Sequence, residues 1–562
     1  MTVPTSAMPS LVGLIDPEPC QVTVQYFLSM APRTNEEALR PGQACLHCRS
    51  RKIKCDGMRP TCTPCCRGNR TTKCEYADQH IAALEESVAR LEKRLQELEG
   101  QPQEMSASEH KGQESSKQSG LNNNCDELPD PVKTLLVNIV VFNSGQVGFA
   151  MNKERFLASL AFPQDHPNYP SSALLQSMYL WGLRILNCEQ FVNLERKAVE
   201  KATLFVADAL HSRDPKTRFQ ALQAEILIAQ YFFCRGRALE GRYHTGAASS
   251  LAVSSGLHFI RAPILPAAGV SDLVGNANAF EFPPPRDAIE EGERINVFWV
   301  TYNVDRCWSV ATGCPATLSS PTSPRSQILT PWPADYDDYA RMDVENLPFN
   351  RTILDYIFRR TGPNINQPDE FSLPSLRVKA PIPSYSAPLL SSETHRPTEC
   401  LKGLSPAMVE QSIWDLLNIL PPLNQMDEHT FEDRSAYIVI RGLALASFVQ
   451  LNFVRAGVNR AFYNVCLTSA KNIVDLVEFV ATTTTIFILD PIVSVIWTTA
   501  AQALARDLSR TRLTRLPANS SECSRADAKR MYNALKEIIK RKPLMKFHHE
   551  RVMELLQSDE AF

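Results

Sequence analysis

From residue 131 to the C-terminus, apolar side chains recur at helical spacing. Leu174, Met178, Trp181 and Ile185 stand 4, 3 and 4 residues apart, and Leu222, Ile226, Ala229 and Phe233 repeat that rhythm. Such spacing puts each set on one face of a helix with 3.6 residues per turn. No stretch sustains the alternation of a half-buried strand, so an all-α architecture is expected. Gly246, Ala247 and Ser250 read as a small-residue face that lets helices approach, and Gly256 as the end of that helix. Pro- and Ser-rich loops are expected at about 261–287, 315–334 and 362–400. The largely apolar run from Phe479 to Trp497 carries four threonines and a central Asp490-Pro491 pair. That pair makes it an expensive membrane span, so two buried helices meeting there are expected.

Nearer the N-terminus the pattern changes period. Ile81, Leu84, Val88, Leu91, Leu95 and Leu98 are spaced 3, 4, 3, 4 and 3, which is a heptad seam. β-branched Ile81 and Val88 fall at a, with Leu84, Leu91 and Leu98 at d, the combination that favours a parallel two-stranded coil. Arg94 at g is placed to reach Glu99 at e of a second copy. The competing reading is an amphipathic helix packed on the C-terminal domain, because the seam is shorter than the three to four heptads that identify a coiled coil unaided. Residues 100–130 are rich in Gln, Ser, Glu, Lys and Asn, a disordered linker that cannot offset its ordering entropy. Residues 1–40 are expected to be a disordered arm, with neither the basic nor the apolar segment of a signal peptide.

Between that arm and the seam lie Cys45, Cys48, Cys55, Cys62, Cys65 and Cys74, spaced C-x2-C-x6-C-x6-C-x2-C-x8-C. Each C-x2-C pair is a chelating bite for a tetrahedral thiophilic ion such as zinc. Two tetrahedral ions need eight ligand positions, which six thiolates supply only if two of them bridge. The symmetric choice is Cys45 and Cys62. One zinc then takes Cys45, Cys48, Cys55 and Cys62, and the other Cys45, Cys62, Cys65 and Cys74. No position stays open for water, so the expected metal is structural, two Zn2+ per chain. The segment is too short for a core of its own, and metal binding is its folding free energy. Cys66, directly after Cys65, offers an alternative C-x3-C bite. Cys65 is kept because C-x2-C restores the pattern of the first half, so Cys66 is a spare thiol in electropositive surroundings, placed for redox sensing.

Charge sharpens this picture. The whole chain is formally −2, yet between Cys45 and Cys74 eight Lys and Arg face the single acid Asp56. With two zinc dications and six deprotonated thiols included, about +5 remains on this short segment. Such a patch neutralises phosphates and binds double-stranded nucleic acid in a salt-dependent way. Arg or Lys reaching guanine O6 and N7 adds sequence discrimination. A nuclear import signal is compatible with Arg49 to Lys54.

The run from Ala44 to Gly57, with Arg59-Pro60-Thr61-Cys62 and Cys74-Glu75-Tyr76, resembles the fungal Zn(2)-Cys(6) binuclear zinc cluster family of transcription factors. The resemblance implies that a helix after Cys48 enters the major groove of DNA. It further implies that Arg51 and Lys52 read bases of a CGG-like triplet while Arg49 and Lys54 hold phosphates. By the same resemblance the seam is the dimerisation element, so a homodimer on paired triplets is expected. Farther on, Ser255-Gly256-Leu257-His258 and the stretch from Phe298 to Arg306, followed by Ser309 and Gly313-Cys314-Pro315, resemble the middle homology region that accompanies this cluster. Cys314 stands where that family often has Arg.

The resulting organisation is an arm at 1–40, a zinc cluster at 41–76, a linker end and coiled coil at 77–99, a linker at 100–130 and a helical regulatory domain at 131–562. The expected product is a nuclear, zinc-dependent, DNA-binding regulator of RNA polymerase II transcription that engages the transcription machinery and no membrane. The alternative is a zinc-dependent protein-interaction module or a redox-responsive regulator. An enzyme is disfavoured, because no G-x-S-x-G, Walker A, G-x-G-x-x-G or H-E-x-x-H motif occurs. Asp305 and Arg306 read as a structural ion pair or capping contact, and His258 as a helix-end histidine. Cys188, Cys234, Cys307, Cys400 and Cys466 lack chelating spacing and read as small buried hydrophobes. The run Asp335-Tyr336-Asp337-Asp338-Tyr339 reads as a solvated connector rather than an activation segment. Ser524–His549 reads as an amphipathic helical tail rich in Lys and Arg, with a solvated face rather than a second DNA patch.

Overall fold

The computed structural model describes residues 128–558, apart from 188–190, 262–281, 319–327, 342–352, 354–355, 357–371, 384–404, 454, 458, 484–488, 514–521 and 542. Among the described residues there are helices and no strand. The chain divides into two units, one ending at Asn138 and including Cys188–Gln190, the other made of Ile139–Asn187 and Phe191–Phe562. Helix α1 (Asp130–Phe142) crosses that division, and all that follows concerns the second unit.

Its first half runs through α2 (Ser144–Val147), α3 (Lys153–Ser159), α4 (Ser172–Leu186), α5 (Val192–Leu210), α6 (Pro215–Cys234), α7 (Ala238–Ser254) and α8 (Ala288–Thr312). Local chemistry starts these helices where the sequence offers a cap. The Asp214 carboxylate accepts from the Lys216 and Thr217 backbone N–H groups, with Pro215 in the first turn. Ser171 caps α4 and Asp287 caps α8 in the same way. Each such cap contributes about 1 kcal/mol. The two expected stripes are both buried, Leu174, Met178, Trp181 and Ile185 on α4 and Leu222, Ile226, Ala229 and Phe233 on α6. They meet in a core where the Phe233 and Trp308 rings stack 3.9 Å apart and Trp181 Nε1–H donates to the Leu227 carbonyl. Burying a side chain such as Phe233 or Phe298 stabilises the fold by about 1.5–3 kcal/mol.

α6 and α7 pack as neighbours, and the residue that permits it is Gly241 rather than Gly246. A Cβ on Gly241 would stand 2.5 Å from the Phe233 ring, whereas one on Gly246 would meet open space. The expected small-residue face is therefore displaced by more than one turn. Gly256 does end the segment, in the left-handed conformation at φ 74°.

The second half comprises α9 (Tyr336–Arg341), α10 (Leu373–Lys379), α11 (Pro406–Ile419), α12 (Phe431–Phe453), α13 (Arg460–Thr482), α14 (Val493–Leu513), α15 (Glu522–Arg541) and α16 (Lys546–Ser558). α10 lies inside the stretch expected as a loop at 362–400, started by the Ser372 hydroxyl that accepts from Ser375 N–H. Among the described helices, Glu432–Phe453 is long and apolar enough to cross a membrane, and 78% of its apolar window is buried against neighbouring helices, as in a core helix. The helices flanking Asp490-Pro491 are α13 and α14, both with buried faces, and the Asp490 carboxylate accepts from Ile492 N–H at 3.0 Å to begin the turn. The stretch Ser524–His549 is helical, in α15 and the start of α16 with the 3-10 turn Pro543–Met545 between them, where proline lacks the N–H that a continuing helix needs.

Candidate functional site

The six cysteines Cys45, Cys48, Cys55, Cys62, Cys65 and Cys74 lie outside the described residues. So do Arg49, Arg51, Lys52 and Lys54, and the seam from Ile81 to Leu98. The fit of the six cysteines to zinc rests on the donor set itself, six soft thiols, four of them in two C-x2-C bites. Among the described residues no group of three or more His, Cys, Asp or Glu could hold a metal ion. Cys234, Cys307 and Cys466 are buried thiols, while Cys314 and Cys523 are exposed. Burial pushes the Cys307 thiol up, reinforced by the nearby Asp490 carboxylate, so it stays protonated and inert.

Helix α8 organises the centre of the described domain. Asp305 is fully buried, and its carboxylate accepts from the backbone N–H groups of Thr317 at 3.0 Å and Leu318 at 2.8 Å. The same carboxylate pairs with Arg242 of α7 at 3.2 Å. Arg306 donates to the Leu318 carbonyl, and its guanidinium lies 4.9 Å from the centre of the Tyr302 ring. The two residues thus fasten the chain leaving α8 back onto the helix, a structural role. His258 is buried beside Phe259, and its carbonyl accepts from Leu329 and Thr330 N–H.

The acidic-aromatic run at 335–339 departs from the solvated connector expected of it. It begins α9, where Tyr339 is buried and donates its hydroxyl to Asn296 Oδ1 while accepting from Ala334 N–H. Tyr336 donates to the Ala150 carbonyl. Burial of the Tyr339 ring, beside the half-buried Tyr336, holds the run on the domain while Asp335 and Asp337 stay exposed.

These contacts frame a cavity of about 560 Å³ between α2, the start of α3, α8, α9, α10 and α12. Its wall at 148–150 is held by Gln223, whose amide accepts from Ala150 N–H and donates to the Gly148 carbonyl, both at 2.9 Å. Across it, Arg377 of α10 pairs with Asp490 at 2.6 Å, and at the rim Lys153 pairs with Glu432 at 2.6 Å. Just behind the wall, Glu293 accepts from Asn152 N–H at 2.9 Å. Burial pushes the Glu293 carboxyl up to about 7, only partly offset by that hydrogen bond. The cavity-lining amides Gln146, Gln230 and Asn303 were not foreseen from the sequence. Their signal is a polar residue interrupting an apolar helical stretch, as Gln230 does between Ala229 and Phe233.

Comparison with known proteins places both parts of the chain. Residues 150–445 match the fungal specific transcription factor domain, and residues 43–81 match the fungal Zn(2)-Cys(6) binuclear cluster domain. The citrinin biosynthesis transcriptional activator mrl3 of Monascus ruber is 25% identical over 387 residues, 59% of this chain and 71% of that protein. The citrinin biosynthesis transcriptional activator ctnR of Monascus purpureus is 25% identical over 387 residues, 59% of this chain and 62% of its own length. No solved structure matches. The chain belongs to the fungal specific transcription factor family, with a zinc binuclear cluster domain at its N-terminal end; it is a DNA-binding transcription factor and not an enzyme.

Proposed function

We propose that this transcription factor acts in the nucleus as a homodimer, each protomer reading one CGG-like triplet through a cluster of two zinc ions. The observation that carries the reading is the six-cysteine frame with its basic excess, which closes both coordination shells and aims positive charge at phosphate. In this scheme Cys45 and Cys62 bridge the metals, with Cys48 and Cys55 on one and Cys65 and Cys74 on the other. Arg51 and Lys52 meet base edges, and Arg49 and Lys54 meet phosphates. The seam Ile81, Leu84, Val88, Leu91, Leu95 and Leu98 joins two protomers and thereby pairs the triplets. The helical domain, taken as 131–562, regulates RNA polymerase II transcription through the transcription machinery.

The two relatives are named activators of a biosynthetic pathway, which supports positive control of biosynthetic genes by this chain. Selection of bound DNA from random oligonucleotides tests the proposal. Two CGG-like triplets at fixed orientation and spacing are expected, with affinity falling steeply as salt rises. A single triplet, or binding that ignores sequence, contradicts it.

A further inference from the structure

Helix α7 turns its large apolar side chains outward. Its buried residues, on the side packed against α6 and α8, are Gly241, His244, Thr245, Ala248, Ser249 and Ala252, small or polar throughout. The opposite face carries Leu239, Tyr243 and Val253, which are 83%, 72% and 42% exposed. A surface helix of a globular protein normally shows the reverse, with its apolar stripe toward the core. Leu239, Tyr243, Gly246, Ser250 and Val253 follow one another at 4, 3, 4 and 3 residues, so they form one outward stripe without a charge. Phe547, 59% exposed, adds an aromatic ring near the start of the helix, since a Cβ on Gly236 would stand 2.3 Å from it. Grouped exposed apolar side chains of this kind mark interaction sites.

The order of residues along the stripe says what covers it. Gly246 is its midpoint, seven residues from both Leu239 and Val253, and a Cβ there would meet nothing within 4 Å. Large side chains at both ends and small ones at the centre make the stripe complementary to itself turned end for end. A two-fold axis beside Gly246 sets Leu239 on the partner's Val253 and Tyr243 over the partner's Ser250, with the backbones closest at the two glycines. Opposed in this way, the two helix dipoles also attract. Size argues for the same occupant. From Leu239 to Val253 the stripe is about 22 Å long and, at a helix width of about 10 Å, offers roughly 220 Å² per copy. A stable, specific interface needs about 800 Å² per partner, so this face does not hold a foreign protein by itself. A second copy already joined at the heptad seam is held at an effective concentration on the order of millimolar, where a small face suffices. We propose, resting on the homodimer reading above, that α7 is a second two-fold contact between paired chains, joining their helical domains about Gly246.

Photo-crosslinking of the purified full chain, with p-benzoylphenylalanine in place of Tyr243 and half the chains isotope-labelled, tests this alongside sedimentation velocity. A crosslink between labelled and unlabelled chains, mapped to residues 249–253 of the partner, is expected in a protein that sediments as a dimer. Gly246→Arg puts a bulky charge on the axis while its own side chain meets open space within the fold. It should keep the dimer and lower the yield between chains at least about tenfold, because the charge is desolvated there. Leu91→Asp, which opens the seam on the homodimer reading, should lower the yield at least as far, because the effective concentration is lost. A wild type that sediments as a monomer overturns this contact together with the homodimer reading. A dimer with no crosslink between chains overturns the contact alone, and a crosslink confined to one chain would make another segment of this protein the occupant. A yield unmoved by Gly246→Arg, or one that survives Leu91→Asp, likewise overturns the contact and leaves the homodimer reading standing.

Discussion

The zinc-cluster segment and the helical domain solve the folding problem by opposite means. The first has too few residues to bury a core and, on the proposed reading, rests on zinc held by six thiolates. The second buries side chains such as Trp181, Trp299 and Trp497 and uses polar groups as fasteners between helices distant in sequence. On the proposed reading function separates along the same line, with DNA recognition in the basic zinc-binding segment and the buried polar fasteners in the helical domain. One consequence is that either part should be able to fail while the other stands.

Metal removal should divide them most sharply. Chelating zinc from the full chain is expected to abolish DNA binding while the far-UV circular dichroism of the helical domain persists, since structural zinc contributes about 10–16 kcal/mol to such a segment. Loss of the helical signal on chelation would break the comparison. Next in size is Asp305→Ala, which leaves Arg242 and the Thr317 and Leu318 N–H groups without their buried acceptor. A cost of about 3–5 kcal/mol in denaturant unfolding is expected, with zinc content unchanged.

Glu293→Gln should alter the pH dependence of the helical domain. The folded carboxyl titrates near 7 against an ordinary 4.5, so the folded chain keeps a proton that the unfolded chain releases. The contribution of this residue to stability is therefore greatest below pH 4.5 and declines as pH rises through 7, by about 3 kcal/mol in all. Thermal unfolding across that window should show the wild type losing stability relative to the glutamine variant; parallel curves would refute it. The smallest contrast is a pair of glycines on α7. Gly241→Ala should destabilise by about 1–3 kcal/mol through its clash with Phe233. Gly246→Ala, facing open space, should stabilise by about 0.5–1 kcal/mol.

The two regions also differ in how much their sequence discloses. Helices α4 and α6 are legible because periodicity is a local property, and the break at Asp490-Pro491 is legible because proline and a capping carboxylate act on their own neighbours. Asp305 is recognisable as structural, but its partner Arg242 stands 63 residues away, and nothing local names it. The same holds for Gln223, which clamps Ala150 across 73 residues. Tyr336 and Tyr339 were obscured by the acids around them, whose solvation suggests a loop until the aromatic burial is known. Gly246 and Gly241 are equivalent on paper, and only the position of Phe233 separates them. For the cysteine frame the relation is reversed, because the proposed ligands and the charge are read from residue type and spacing alone.

The central claim is that six thiolates share two metals through Cys45 and Cys62 and so hold the DNA-reading surface. Measuring zinc per chain in the wild type, Cys62→Ala and Cys74→Ala tests it most directly. Two zincs in the wild type, loss of both with Cys62→Ala and loss of mainly one with Cys74→Ala are expected. Two zincs retained in Cys62→Ala would contradict the bridged cluster.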